Sequence, residues 1–211
     1  MRIAIVGAGR VGTTLGQGWM RCGHQVTYGV RDPSAARSRD LARDGAKVAP
    51  SGRAVEQSEV VLLATPWAAT PEVLRSLGDL GGRTLLDATN PIGPGLAPAL
   101  GRDASGGELV QQWAPTARVV KVFNTTGAEN MASPRFGDLP ATMLYCGDDA
   151  GACGVAARLA ADLGFDAVGA GPLRSARLLE PFALLWIQLA MAQGMGRSIA
   201  FRLLRREGEG P

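Results

Sequence analysis

Short apolar runs alternate with stretches of helical periodicity along most of the chain. Runs such as residues 3–6 (IAIV) and 59–64 (EVVLLA) contain almost no polar position, which is typical of strands buried on both faces of a sheet. Strands are predicted over residues 3–6, 25–30, 46–48, 59–64, 83–87, 118–123, 141–146 and 165–168. Helices are predicted between them, over residues 13–22, 34–44, 51–57, 108–113 and 150–163. This alternation predicts an α/β fold, a doubly wound and mostly parallel sheet with a small C-terminal helical part.

The first predicted strand runs directly into glycines with the spacing G-x-G-x-x-G. Gly7 would allow the tight turn, Gly9 would let a ligand approach the backbone, and Gly12 would let the following helix pack closely on the strand. A helix N-terminus at this point directs N–H groups at phosphate. We therefore predict that a dinucleotide binds along Gly7, Ala8, Gly9, Arg10, Val11 and Gly12. The alternative is a glycine-rich turn between two packed elements.

The end of the second predicted strand indicates which dinucleotide binds. Sites for NAD place an acidic residue there for the ribose 2′-OH, whereas this strand ends in Val30 and is followed by Arg31. The guanidinium of Arg31 can pair with a 2′-phosphate, so NADP is predicted, with Arg10 flanking the same phosphate. Asp32 is assigned to capping the next helix, because Pro33 follows it at a helix start. The alternative for Arg31 is a solvated surface charge.

Three further predicted strands end in short loops of polar, aromatic and proline residues. These loops contain Thr65, Pro66 and Trp67, then Asn90 and Pro91, then Asn124 and Thr125. Ligands of open α/β sheets bind outside the carboxyl ends of the strands, so these residues are expected to frame the nicotinamide and a second ligand. The alternative for Trp67 is a packing residue at a helix start.

Composition favours a cytoplasmic protein and argues against several other classes. The 211 residues are 46% hydrophobic and 19% charged, enough for a packed core, and the net charge of +3 is too small to predict nucleic-acid binding. The three cysteines lack metal-ligand spacing, so we expect reduced thiols and no metal. No apolar run has the length of a membrane span, and no signal peptide is expected before the first strand. Arginine supplies nearly all of the positive charge, which suggests a GC-rich bacterial genome.

No lysine or histidine is predicted beside the reacting groups to protonate a carbonyl oxygen. His24, the only histidine, follows Gly23 in a predicted turn. Reduction of a ketone usually needs a proton donor, whereas hydride transfer between two stacked redox rings depends mainly on proximity and orientation. The chain is therefore predicted to be an NADP-dependent oxidoreductase with no assigned acid or base. The cleft candidates are Trp67, Asn90, Asn124 and Thr125.

The C-terminal stretch has apolar residues at helical spacing over residues 174–204. Pro181 is expected to kink this helix and residues 194–196 to interrupt it, leaving a last short helix over residues 197–204. Because apolar residues cover much of its surface, we predict that it is buried in a homodimer interface as well as against the sheet. Two regions are predicted: a dinucleotide-binding domain over residues 1–132 and a smaller region over residues 133–211 for the substrate cleft and dimerisation.

Four segments carry a resemblance to a known family. They are VGAGRVGTTLGQGWMRCGHQVTYGVRDP, VVKVFNTTGAENM, LYCGDD and GAGPLRSARLLEPFALLWIQLAMAQGMG. Together they resemble the NADP oxidoreductases that use the deazaflavin coenzyme F420, over nearly the whole chain. The resemblance implies a Rossmann domain, a homodimer, and NADP in the cleft with the deazaflavin stacked on the nicotinamide. By the same resemblance, Ala8, Val30 and Asn124 stand where other members carry a threonine, a small hydroxyl residue and an active-site histidine.

Three functions are compatible with these observations. The leading hypothesis is hydride transfer between NADP(H) and coenzyme F420. The second is NADPH-dependent reduction of a small molecule of secondary metabolism, an imine or an unsaturated carbonyl, because a preformed iminium needs little protonation. The third is a non-catalytic NADP(H) sensor, ranked last because the strand-end loops converge on one site. The second substrate and the direction of hydride transfer stay open at this point.

Overall fold

Most strands and helices follow one another as predicted, and the structure adds helices over Thr70–Leu77 and Ala128–Ala132 and a hairpin over residues 135–140. A computed structural model describes residues 1–43, 45–101 and 103–206. Its strands are β1 (Arg2–Val6), β2 (Gln25–Val30), β3 (Lys47–Pro50), β4 (Val60–Leu63), β5 (Thr84–Asp87), β6 (Arg118–Lys121), β7 (Arg135–Phe136), β8 (Leu139–Pro140), β9 (Thr142–Gly147) and β10 (Asp166–Gly169). Its helices are α1 (Arg10–Arg21), α2 (Ala36–Arg43), α3 (Ser51–Glu56), α4 (Thr70–Leu77), α5 (Gly106–Trp113), α6 (Ala128–Ala132), α7 (Ala150–Asp162) and α8 (Ala176–Ile187).

Eight of the described strands form one sheet in the order β10-β9-β6-β5-β4-β1-β2-β3. Every neighbouring pair is parallel except β6 with β9, which is antiparallel. Strands β7 and β8 form a separate hairpin. The prediction of a doubly wound, mostly parallel sheet is confirmed. Strands β9 and β10 follow residue 132 yet extend the same sheet, so the two predicted regions share it.

The central strands are apolar because helices cover both faces of the sheet. Ile3 and Ile5 of β1 face one layer, which includes α1 and α7 with Trp19 and Leu159. Alternate β1 residues face the other layer, formed by α3, α4 and α5. Helix α8 packs against α5 and β9, beside the carboxyl end of the sheet. The two-sided core therefore leaves the carboxyl edge as the place where loops can form a site.

The capping role assigned to Asp32 is wrong, and Ser51, at the start of the third helix, does not cap it either. Helix α2 begins at Ala36, and the Asp32 carboxylate accepts hydrogen bonds from the Ser34 backbone N–H (2.8 Å) and hydroxyl (2.6 Å). This turn precedes the helix and lowers the pKa of Asp32, chiefly through the Ser34 hydroxyl. Helix α3 begins at Ser51 itself, with Pro50 as the capping position and no side-chain hydrogen bond.

The predicted last helix over residues 197–204 is also wrong. After α8, a π turn spans Gln188–Ala192, and Gly194 and Gly196 then adopt positive φ angles, which end the helical path. The chain continues in an irregular conformation beside β9. There the Phe201 carbonyl accepts from the Thr142 N–H (3.0 Å), and the Ile199 carbonyl accepts from the Trp186 indole N–H (2.7 Å).

Candidate functional site

The glycine motif forms a tight turn between β1 and α1. Gly7 has φ +109°, and a Cβ there would lie 2.4 Å from the Ala64 carbonyl oxygen. A Cβ on Gly12 would lie 2.0 Å from the Gly7 carbonyl oxygen, whereas one on Gly9 would meet nothing within 4 Å. Gly7 and Gly12 therefore serve packing, and Gly9 faces open space. The first turn of α1 carries no acidic residue and no side-chain cap, so its N–H groups can bind an anion.

A cavity of about 720 Å³ lies beside this turn, and we call it the nucleotide cavity. It is bounded by the glycine turn, the end of β2, the start of α3, the loop after β4 and one face of α4. Its lining includes Gly7, Ala8, Gly9, Val30, Arg31, Asp32, Ser38, Ser51, Thr65 and Pro66. A cavity bordered by the turn before a helix N-terminus and by the end of the neighbouring strand has the position that a dinucleotide requires.

Arg31 is the basic side chain that the nucleotide cavity offers to a phosphate. Among the residues that the structure describes, Arg31 forms no salt bridge. Asp32 beside it is already engaged by Ser34. Ser38 and Ser51 line the same cavity. The Ser38 hydroxyl already donates to the Asp32 carbonyl (2.7 Å), so the Arg31 guanidinium and the Ser51 hydroxyl are the groups that suit a phosphate dianion.

The structure does not bring Arg10 to Arg31, and the flanking of one phosphate by both stays a prediction. Arg10 is outside the lining of the nucleotide cavity, and its guanidinium bonds Glu129 of α6. Arg197 binds the same carboxylate at 3.2 Å. Arg10 points away from the β2 end because it starts α1 on the side that packs against α6. Its neighbours Val11 and Gly12 are not among the residues that line the cavity.

Asn90 and Asn124 meet at the ends of β5 and β6. The Asn90 amide donates to the Asn124 carbonyl (2.9 Å), and the Asn124 amide donates to Asn90 Oδ1 (3.1 Å) and to the Leu179 carbonyl (3.3 Å). Both acceptors face the Asn124 Nδ2 atom, which fixes the orientation of the amide. Within the described residues the buried Asn124 Oδ1 atom has no hydrogen-bond partner, so an acceptor is available beside the strand ends.

Backbone strain accompanies this asparagine pair. Phe123 has φ +59°, a left-handed conformation that a bulky side chain rarely adopts and that costs about 1–3 kcal/mol. It is held there by complete burial and by edge contact with Trp19, with ring centroids 5.6 Å apart. Thr125, two residues on, is buried, and its hydroxyl lies 3.9 Å from the Met143 sulfur. The strained turn places Asn124 at the carboxyl edge.

The Trp67 ring lies beside Pro91 and Glu180, around Gly106. Trp67 begins a 3₁₀ turn after β4 and packs on Trp113 of α5, with ring centroids 5.4 Å apart. It is absent from the lining of the nucleotide cavity, which includes its neighbours Thr65 and Pro66. The geometry therefore favours the packing interpretation of Trp67.

A buried ion network that the sequence reasoning missed connects the sheet to α8. The Lys121 ammonium is fully buried and donates to Asp87 Oδ2 (3.0 Å), to the Thr89 carbonyl (2.6 Å) and to Glu180 Oε1 (2.9 Å). Burial alone would lower the pKa of Lys121, but the two carboxylates outweigh it and raise that pKa. All three N–H donors are used, so Lys121 is a structural cation. The sequence does contain hints of this network: a lysine at the end of an apolar strand and a glutamate within an apolar helix.

A second cavity, of about 280 Å³, lies between α8 and the loop after β5, and we call it the α8 cavity. It is lined by Asn90, Pro91, Ile92, Pro98, Leu100, Gly101, Ala104, Arg177, Glu180, Pro181 and Leu184. Two of the predicted cleft residues, Asn90 and Pro91, therefore contribute to it. Among the described residues no cluster of side chains could hold a metal, and no helix is both long and apolar enough to cross a membrane.

Comparison with known proteins places the chain in a family. The family model of coenzyme F420-dependent NADP oxidoreductases matches residues 2–91, from β1 to the loop that carries Asn90. The crystal structure of a candidate F420-dependent NADP-reductase from Arthrobacter sp. FB24 is 32% identical in sequence. The match covers 97% of this chain and 100% of that chain, with a TM-score of 0.88. The chain belongs to this family. It is an oxidoreductase family whose name specifies NADP, as the free Arg31 predicts.

Two other relatives show how far the family resemblance extends. Protein SMa0349 of Sinorhizobium meliloti is 30% identical, with 83% of this chain and 88% of that chain covered and a TM-score of 0.74. The metalloreductase STEAP3 of Rattus norvegicus is 31% identical over 185 residues, which are 87% of this chain. The chain spans only 36% of the length of that metalloreductase. The shared part is therefore the nucleotide-binding region and the elements that follow it here.

Proposed function

We propose that this protein transfers a hydride between NADP(H) and coenzyme F420. In this reaction NADPH, oxidised F420 and one proton are converted to NADP⁺ and reduced F420. The observation that carries the proposal is the nucleotide cavity, whose lining contains both the glycine turn before the α1 N-terminus and the Arg31 guanidinium. The family of the chain supports the choice of both coenzymes.

Within this proposal, the backbone of Gly7, Ala8, Gly9 and Val11 holds the pyrophosphate, while Arg31 binds the 2′-phosphate. Gly12 shapes the turn. Thr65, Pro66, Asn90 and Pro91 border the nicotinamide, and Asn124 and Thr125 lie behind it. None of these groups is assigned a proton-transfer role, and a bound deazaflavin would supply the hydride acceptor. The protein contributes proximity and orientation.

Reduction of a small molecule such as a cyclic imine is a second candidate function. The observation that favours it is the size of the α8 cavity, about 280 Å³, which suits a small ring better than a whole coenzyme. A preformed iminium would need no acid from the protein.

Absorbance spectroscopy tests the proposed reaction. Purified protein with NADPH and oxidised F420 should bleach the deazaflavin at a rate proportional to enzyme concentration. No bleaching at any enzyme concentration, with NADPH bound, would refute the F420 reaction. Oxidation of NADPH by cyclic imines under those conditions would establish the second function, and binding without turnover of any acceptor would establish a sensor.

We further propose a cytoplasmic homodimer that forms through α8, with the division near residue 132 separating the nucleotide-binding region from the region that dimerises. The exposed apolar residues of α8 and the turn after it support this proposal: Leu178, Leu185, Met191 and Met195. The cysteines are free thiols, as a reducing compartment requires. Sedimentation velocity should give a dimer for the native chain and a monomer for Leu185→Glu.

A further inference from the structure

We propose that Arg197, in the segment that follows α8, increases the affinity for the coenzyme by acting through Glu129 on Arg10. Arg197 is thereby a positioning residue, because it acts on the coenzyme through two other side chains. This inference rests on the proposed function for one point, the place of the pyrophosphate at the N-terminus of α1. It goes further by giving the C-terminal part of the chain a role in binding at the glycine motif.

Arg10 lies where a pyrophosphate would approach α1. It is the first residue of that helix and directly follows Gly9, which lines the nucleotide cavity. Its side chain is 68% exposed, so it can change rotamer without any movement of α1. A guanidinium turned toward the glycine turn would add a charge-assisted hydrogen bond to a pyrophosphate. In this structure the guanidinium is held on the other side, by Glu129.

Glu129 competes with the pyrophosphate for Arg10. It belongs to α6, which packs against α1. Its Oε1 atom accepts from Arg10 and, at 3.2 Å, from Arg197. Burial alone would raise the pKa of Glu129, but its own backbone N–H, the Arg197 hydrogen bond and the charges of the two arginines outweigh burial and lower that pKa. The carboxylate is therefore charged at neutral pH.

The segment after α8 is fixed in a way that keeps Arg197 beside this carboxylate. The amide of Asn130, the residue after Glu129 in α6, donates to the Arg197 carbonyl (3.2 Å) and to the Ile199 carbonyl (2.7 Å). The Trp186 indole N–H of α8 donates to the same Ile199 carbonyl (2.7 Å). Two helices thus hold the backbone on both sides of Arg197. Its guanidinium reaches Glu129 from a fixed base.

The charges of these three side chains favour an incoming anion only when Arg197 is present. Two guanidiniums share one carboxylate, so the group carries one positive charge in excess. When Arg10 turns to the pyrophosphate, Arg197 still neutralises Glu129. Without Arg197, the same movement would leave an uncompensated carboxylate close to the phosphates, and like charges repel. Arg197 therefore lowers the cost of moving Arg10 to the coenzyme.

Solvent exposure limits the size of this effect. The Arg197 side chain is 44% exposed and that of Glu129 is 29% exposed, so water and salt screen their attraction. We therefore expect a change in coenzyme affinity of about three- to fivefold at low salt, rather than a loss of binding. The change should become smaller as the salt concentration rises.

Calorimetric titration with NADP⁺ at about 10 mM and about 1 M NaCl tests the inference. Arg197→Ala should weaken NADP⁺ about three- to fivefold at low salt and less than about 1.5-fold at high salt. Arg197→Lys keeps the positive charge and should bind like the native chain. In the Glu129→Gln background, Arg197→Ala should have no effect, because no carboxylate is left to compensate. Arg202→Ala is the matched control, since this arginine lies in the same segment but donates to the Pro140 carbonyl (2.8 Å).

Titration with NAD⁺ identifies the phosphate group on which Arg197 acts. Both coenzymes carry the pyrophosphate, so Arg197→Ala should weaken NAD⁺ by the same factor as NADP⁺. A loss for NADP⁺ alone would assign the effect to the 2′-phosphate and overturn the inference.

A merely structural role of the segment would give a different pattern. An equal loss in Arg202→Ala, or a loss in Arg197→Ala that persists in the Glu129→Gln background, would overturn the inference, as would unchanged binding by Arg197→Ala at low salt. A chain that shows the expected binding pattern but never bleaches F420 refutes the proposed reaction and leaves the role of Arg197 standing. A chain that bleaches F420 but binds NADP⁺ equally well without Arg197 does the reverse. Absence of NADP⁺ binding by the native chain would overturn both.

Discussion

The two sides of the carboxyl edge are held in different ways. On the nucleotide side the shape depends on missing side chains: Gly7 and Gly12 let backbone pack against backbone. On the α8 side it depends on side chains, because buried Lys121 ties Asp87 of β5 to Glu180 of α8. A turn of glycines needs few partners to form, whereas the ion network needs three elements in place. We therefore expect damage to the two sides to affect different ligands and to differ in size.

Lys121→Met should have the largest effect. It removes the ammonium and leaves Asp87 and Glu180 as buried carboxylates without their counter-ion, which should cost about 3–5 kcal/mol in the free energy of unfolding. Urea denaturation measures this. Lys47→Met, at the exposed lysine of β3, is the matched control and should change stability by less than about 0.5 kcal/mol. An unfolding midpoint equal to that of the native chain would show that the network does not hold α8.

Gly12→Ala should have the next largest effect. Its Cβ would lie 2.0 Å from the Gly7 carbonyl oxygen, so α1 must shift away from the phosphate turn. We expect a loss of stability of about 1–3 kcal/mol and at least about tenfold weaker NADPH binding, measured by fluorescence titration. Gly154→Ala in α7, where an added Cβ meets nothing within 4 Å, serves as the control. Loss of NADPH binding by Gly154→Ala equal to that by Gly12→Ala would show that the close packing of the glycine turn is not what the coenzyme needs.

The two sides also differ in how well the sequence predicts them, because one depends on local residues and the other on distant ones. The glycine spacing and the apolar runs are local, so the order of elements, the phosphate turn and the strand-end residues Thr65, Asn90 and Asn124 could be predicted. Lys121 could not be assigned, because its role depends on Asp87, 34 residues away, and on a helix still further along the chain. The cap at Asp32 and the helix over residues 197–204 were wrong for different reasons. At Asp32 a competing local turn with Ser34 uses the carboxylate before the helix begins, whereas over residues 197–204 tertiary contacts with the β9 edge override the local preference.

Arg31→Ala should have an intermediate effect that is specific for one coenzyme. Loss of a charge-assisted contact to the 2′-phosphate should weaken NADPH binding by about 1.5–3 kcal/mol, roughly 10- to 150-fold, and leave NADH binding unchanged. The measurement is a pair of titrations with the two coenzymes. Arg53→Ala removes an exposed arginine that pairs with Glu56 and should alter neither. Equal losses for NADPH and NADH would mean that Arg31 does not recognise the 2′-phosphate.

The smallest expected effect is on the rate of thiol labelling, which reports how often α8 separates from β9. Burial raises the pKa of Cys146 to about 12, and its sulfur faces the Leu173 carbonyl at 3.6 Å, next to Ala176 and Leu179. At pH 8 only about one Cys146 in ten thousand would be a thiolate even if reagent could reach it. Exposed Cys22 should therefore react first, and Cys22→Ser should abolish the fast phase. Cys146 can react only when α8 lifts from β9, so its slow rate should rise in Lys121→Met and stay unchanged in Gly12→Ala. Fast labelling of Cys146 in the native chain would mean that α8 opens while the ion network is intact. The ion network would then not be what holds the α8 side together.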